Sequence, residues 1–288
     1  MKQIGFIVGT GRCGTTILSQ ALNSHSKICV PHELQIMVSI NNGDRLYDKY
    51  INGEFDYYKA KHFIRLIEKC CPYRFEEYFN YKKHFYNLDY PQSDLRTILT
   101  ELFDHMCYEF NKDVFIEQTP WNGQRLDILQ QLFPEMKVIH IVRDGRDVAL
   151  SYARTPWWST DLTENISRWA KEVDRIQQFG KNFPNNFIEL RYEDLVTNPL
   201  DGLEAILKIF ELNLEPEMLD PERSIDYLSF FKGNGKSYQS KEWNKWEEKK
   251  KKLFFSENIF AWKKKHSSTF SQLPQTVKDI LSSYQYET

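Results

Sequence analysis

The sequence predicts an α/β fold, a parallel β-sheet flanked by helices, and three observations carry that prediction. Short apolar runs recur along the chain at Ile4–Val8, Val114–Glu117 and Lys137–Val142. The first of them is uncharged and rich in β-branched and aromatic residues, as suits a strand covered on both faces. It is followed by a glycine-rich turn and a segment that continues as a helix from Thr15, and this order of strand, polar turn and helix returns at Lys137–Ser151.

The 288 residues suit one domain with a sizeable core. Residues 41–113 read as a helical insertion over the sheet and residues 221–288 as a basic C-terminal segment. The balance of 38 Lys+Arg against 40 Asp+Glu, net charge -2, gives no reason to expect a nucleic-acid partner, so any anion site must be local. No apolar run approaches the roughly 20 residues of a membrane span. An N-terminus that enters the first strand after Met1-Lys2-Gln3 leaves no room for a signal peptide. The 5 cysteines lack paired metal-ligand spacing, so the expected compartment is the cytoplasm and no metal is expected.

Gly9, Gly11 and Gly14 let the backbone take positive φ and approach a ligand, while the helix from Thr15 points its unpaired N–H groups back into the turn. That geometry holds an anion, most often a phosphate. Gly9, Gly14 and Thr16 match the P-loop pattern G-x-x-x-x-G-K-[ST], which makes the turn P-loop-like, but Thr15 replaces its lysine and Arg12 is the strong cation in the loop. Cys13, beside Arg12 near a helix N-terminus, reads either as an activated thiol or as a small side chain where space is short.

Lys27–Pro31 reads as a second strand that delivers His32 and Glu33 to the same sheet edge as the glycine turn. Taken alone, one carboxylate there is a helix cap or a surface charge. Within 41–113, Leu95, Ile98, Leu99, Leu102, Phe103 and Met106 follow a helical apolar pattern. Val114–Glu117 ends in the polar turn Gln118-Thr119-Pro120-Trp121-Asn122, and a helix is expected over Gly123–Phe133. Lys137–Val142 is a strand with His140 as a satisfied core histidine.

Arg143–Ser151 follows, with Asp144 as a helix cap and Gly145 permitting the turn. Ser151 falls two helical turns past Arg143, so its hydroxyl and the guanidinium can share a second anion site, separate from the first. Alone, the segment reads as a surface Arg146–Asp147 pair plus a cap. Thr155-Pro156-Trp157-Trp158 precedes a helix over Glu164–Phe179, Phe187–Leu190 is the fifth strand, and a helix covers Leu200–Phe210. The lysine runs 249–252 and 263–265 read as solvated faces or as a basic lid.

These segments resemble the sulfotransferase family, which uses 3'-phosphoadenosine 5'-phosphosulfate (PAPS) as sulfuryl donor. GTGRCGTT (Gly9–Thr16) is similar to the family's 5'-phosphosulfate loop, IVRDGRDVALS (Ile141–Ser151) to its 3'-phosphate segment, and RYEDLVTNP (Arg191–Pro199) to the segment whose tyrosine approaches the adenine. Trp262-Lys263-Lys264 loosely resembles its C-terminal tryptophan–lysine motif. The resemblance is nearer the bacterial and tyrosylprotein branch, where a glutamate at the interval of Glu33 serves as base, than the cytosolic small-molecule branch, which uses a later histidine.

The resemblance implies PAPS bound by Gly11, Arg12, Cys13, Gly14, Thr15, Thr16, Arg143, Ser151 and Tyr192, with Glu33 and Arg12 catalytic and the insertion over the acceptor side. The acceptor would be a small-molecule, carbohydrate or peptide hydroxyl. Related sequences often carry a lysine where this chain has Gln118. The competing readings are a small-molecule kinase with an altered P-loop and a non-catalytic nucleotide-binding module.

Overall fold

The computed structural model describes residues 3–31, 33–36, 95–156, 158–219, 254 and 259–288. Among them five strands form one sheet: β1 (Gln3–Val8), β2 (Ile28–Cys29), β3 (Val114–Glu117), β4 (Lys137–Val142) and β5 (Phe187–Arg191). Their order is β2-β3-β1-β4-β5 and every pairing is parallel. The helices are α1 (Thr15–Asn23), α2 (Leu95–Glu109), α3 (Leu126–Leu132), α4 (Gly145–Tyr152), α5 (Leu162–Asn182), α6 (Tyr192–Thr197), α7 (Pro199–Ile209), α8 (Trp262–Lys265) and α9 (Gln275–Ser283).

Side chains on successive strand residues point to opposite faces, and the core divides accordingly. Ile4, Phe6, Val8, Phe115 and Val138 face α2 and α3, where Phe103 stacks on Phe115 at 4.1 Å. Ile7, Ile116, Ile139 and Ile141 face α1, α6 and α7. The apolar pattern from Leu95 to Met106 therefore belongs to the sheet's own helical layer. The rest of the expected insertion, together with the 249–252 lysine run, lies outside the described residues.

Three element boundaries depart from the expectation for local reasons. The second strand is only Ile28–Cys29, because the next N–H, that of Val30, donates to Asn23 Oδ1 at 2.9 Å. The helix expected over Gly123–Phe133 opens as a 3-10 turn, Pro120–Arg125, in which Asn122 N–H bonds the Thr119 carbonyl. The helix expected over Glu164–Phe179 starts earlier, at Leu162, because Asp161 caps it by accepting from the N–H groups of Thr163 and Glu164 at 2.7 and 3.1 Å.

The topology places the site. From β1 the chain moves outward to β2 and β3, then crosses to β4 and on to β5, so β1 and β4 are neighbours whose connections leave in opposite directions. A crevice outside the carboxyl ends of two such strands is where open α/β sheets bind ligands. Both Gly9–Gly14 and Arg143–Gly145 sit there.

Phe115 is fully buried between strand and helix layers, so Phe115→Ala should cost about 3–5 kcal/mol. Urea unfolding checks this: an unchanged midpoint would show that the α2 contact is not part of the core.

Candidate active site

The turn after β1 is built from left-handed backbone. Gly11 (φ 77), Arg12 (φ 56) and Gly14 (φ 105) all lie in the region that favours glycine, and a non-glycine residue there costs about 1–3 kcal/mol. Gly14 is required twice over, since a Cβ on it would stand 2.4 Å from the Tyr192 ring. No side chain caps α1 and its first turn holds no acidic residue, so the helix N-terminus is presented to the loop. Thr16 is exposed there and Thr15 is buried.

Cys13 is fully buried, and burial pushes its thiol up to about 11. The small-side-chain reading therefore holds and the activated thiol does not.

Arg12 reaches from this loop to α4, where its Nε donates to Ser151 Oγ at 2.9 Å. Arg143, at the end of β4, donates through Nη1 to the Arg12 carbonyl oxygen at 3.3 Å and lies 4.6 Å from the centre of the Tyr192 ring. Arg12, Arg143, Ser151 and Tyr192 thus occupy one place. The two anion positions expected from the sequence therefore adjoin, because adjacent parallel strands bring both turns to the same edge.

The surface reading of Arg146–Asp147 also fails. Both are buried, and Arg146 pairs with Asp144, donating from its backbone N–H and Nε to Oδ1 and from Nη2 to Oδ2 at 2.7 Å. Neighbours on a helix do not face each other, so Asp147 instead lies 3.7 Å from Arg143, one turn away. Burial raises the Asp147 carboxyl pKa, and Arg143 opposes the shift.

Gly145 serves packing rather than turn geometry: a Cβ there would come within 2.4 Å of Trp169. The C-terminal segment closes the back of this turn. Trp262 donates from Nε1 to Asp144 and from its backbone N–H to Asp147, Arg146 Nη1 donates to the Glu287 carbonyl, and Tyr286 donates to Glu193, which in turn accepts from Asp144 N–H. Lys263 pairs with Glu287 at 2.8 Å.

At the other side of the loop, Gly9 N–H donates to the Pro120 carbonyl, tying β1 to the turn after β3. Glu117 ends β3 fully buried, a group the sequence reading passed over. Its Oε1 accepts from Leu34 N–H at 2.9 Å and from Thr119 Oγ1 at 2.5 Å; its Oε2 accepts from Thr119 N–H at 2.8 Å and from Asn122 Nδ2. The available signal was a carboxylate closing an apolar strand, followed by the small polar residues Thr119 and Asn122.

Glu33 is half-buried and its charge acts on Glu117. Gln118 is buried, with Oε1 lacking a hydrogen-bond partner. His32 and Trp157 lie outside the described residues. Trp158 stacks on Tyr152 at 4.6 Å and carries Arg168 4.1 Å from its ring centre, so its ring is committed to packing. Trp121, 37% exposed, is the aromatic beside the loop that faces solvent. His140 is buried with Nδ1 2.8 Å from Glu189, in keeping with a core role. Among the described residues, no cluster of His, Cys, Asp or Glu could hold a metal ion, and no helix is long and apolar enough to cross a membrane.

Burial pushes Glu117 up to about 7 from an ordinary 4.5. The folded chain therefore holds this proton more tightly than the unfolded chain, and the group's contribution to stability is present below pH 4.5 and lost as pH rises to about 7. The displacement corresponds to on the order of 3 kcal/mol. Glu117→Gln should flatten the fall in thermal midpoint between pH 5 and pH 8. An unaltered slope would contradict the assignment.

Comparison with known proteins gives these features a family. A family model described as "Sulfotransferase family" matches residues 6–216. The chain is 23% identical over 224 residues to an uncharacterized protein of Aquifex aeolicus, covering 75% of this chain and 26% of that one. It is 27% identical over 124 residues to a Caenorhabditis briggsae protein provisionally named a protein-tyrosine sulfotransferase, covering 41% of each. The chain thus spans less than half the length of these relatives. Among solved structures, the sulfotransferase domain of the Synechococcus PCC 7002 olefin synthase superposes with TM-score 0.65 at 16% identity, over 100% of this chain and 97% of that one. The sulfotransferase domain from the curacin biosynthetic pathway gives TM-score 0.65 at 17% identity, over 100% and 99%. The fold is shared with these domains, and with the family model spanning most of its length the chain belongs to the sulfotransferase family.

Proposed function

We propose that the chain transfers a sulfuryl group from PAPS to a hydroxyl of a small-molecule, carbohydrate or peptide acceptor. The observation that carries this reading is the contact of Arg12 Nε with Ser151 Oγ, which joins the loop after β1 to the helix after β4. One cradle then offers guanidinium groups and a helix N-terminus to an elongated ligand with two anionic ends. The residues present suit such a ligand. The left-handed loop exposes backbone toward it, Arg143 is oriented by Asp147 and Tyr192, and Thr15 in place of lysine fits a phosphosulfate better than a triphosphate.

PAPS supplies a sulfuryl group attached to a phosphate leaving group. Glu33 takes the proton of the acceptor hydroxyl while the acceptor oxygen bonds to sulfur and the bond from sulfur to the 5'-phosphate oxygen breaks. The products are a sulfate ester and 3'-phosphoadenosine 5'-phosphate (PAP). Arg12, the N–H groups of the loop from Gly11 to Gly14, and the hydroxyls of Thr15 and Thr16 hold the 5'-phosphate and take up the charge that develops on it. Arg143 and Ser151 hold the 3'-phosphate, and Tyr192 lines the adenine side. The name of the Caenorhabditis relative supports a peptide tyrosine as one acceptor to test first.

Arg12→Ala and Glu33→Gln should each lose about a hundredfold to a thousandfold in turnover, whereas Arg143→Ala should mainly weaken PAP binding. Transfer of label from PAPS to extracts of the source organism, with products identified by mass spectrometry, measures this. Glu33→Gln with near-normal turnover and an intact fold would remove the base assignment.

PAP at a hundred times its dissociation constant should stabilise the fold by about 2.7 kcal/mol, and ATP with magnesium should not. The reverse order in a thermal-shift assay would favour a kinase.

A further inference from the structure

The buried carboxylate at the end of β3 has no part in the reaction as set out above. Both of its oxygens are nevertheless filled, and the Leu34 N–H is one of the groups that fill them. Thr119 extends the connection, since Oγ1 donates to Glu117 and accepts from Gln35 N–H at 3.0 Å. The backbone of the two residues after Glu33 is therefore fastened to β3 through a single carboxylate. The same turn is fastened to the anion loop through Gly9 N–H and the Pro120 carbonyl.

We infer that Glu117 is the positioning residue for Glu33: its carboxylate fastens the turn that carries the base to the carboxyl end of β3. This inference rests on Glu33 being the base. Among the described residues, Glu33, in the turn after β2, acts on Glu117 with a like charge, while Leu34, Thr119 and Asn122 present neutral hydrogen-bond donors. Gln118, the next residue, is neutral, so it does not cancel the repulsion as a lysine would. The like charge of Glu33 adds to burial in making Glu117 hold its proton more tightly. Ionised Glu117 offers acceptor oxygens to all of its hydrogen-bond donors.

Carbon-13 labelling of glutamate carboxyls in the full chain reads the charge coupling without an acceptor. Glu33→Gln should move the Glu117 titration to lower pH, because the like charge of Glu33 is then gone. Amide hydrogen exchange reads the anchoring: Glu117→Gln and the near-isosteric Thr119→Val should speed exchange at Leu34 and Gln35 by about tenfold or more. PAP affinity by calorimetry should stay within about twofold, because Arg12 and Arg143 are untouched.

If Glu117→Gln fails to fold, Thr119→Val and Glu33→Gln keep both readouts. An unmoved Glu117 titration in Glu33→Gln, or unchanged exchange at Leu34 and Gln35, overturns the inference even if Glu33→Gln is inactive. Retained turnover in Glu33→Gln, with the coupling present, instead removes the base reading and leaves the pairing standing.

Discussion

The site depends on one arginine being held by the backbone of another. Arg143 bonds the carbonyl oxygen of Arg12, and Arg12 can offer that oxygen only from a loop that has turned through left-handed residues. Two guanidinium groups kept together repel, and the surroundings moderate this: Asp147 stands one helical turn from Arg143, and the Tyr192 ring lies against it. The strain of Arg12 and the burial of Asp147 are both costs, and Asp147 recovers part of its own through the Trp262 N–H.

Behind this pair the charges are buried and matched. Asp144 is saturated by Arg146 and Trp262, and Glu193 bridges the Asp144 N–H to Tyr286. Breaking one member of such a network leaves a charge buried alone, which is far more costly than the network is favourable. The C-terminal segment is thereby tied to the turn after β4. Trp262 and Tyr286 are buried in this tie, while Lys263 and Lys264 are exposed as solvated lysines, Lys263 pairing with Glu287 at the surface.

The legibility of the chain follows the range of the interactions. Strands, helices and the glycine turn were readable because a short β-branched apolar run, a helical apolar stripe and a glycine pattern are local. The alternation even assigns sheet faces, with Phe6 and Ile7 entering different cores. The contact between Arg12 and Ser151 spans 139 positions and needs the strand order to be known. The Arg146–Asp147 pair misled because adjacency in sequence is not adjacency on a helix. Glu117 was passed over because what distinguishes it is a set of backbone donors from a distant turn, and backbone carries no letter in a sequence.

Gly14 shows how these constraints combine. Its dihedral demands a residue without a side chain, and the Tyr192 ring independently fills the volume that a side chain would need. A smaller residue at 192 would answer the second demand and leave the first. The loop after β1 and the end of β5 are therefore locked in register by an empty space, and sequence drift has no single step by which to loosen one without losing the shape of the other.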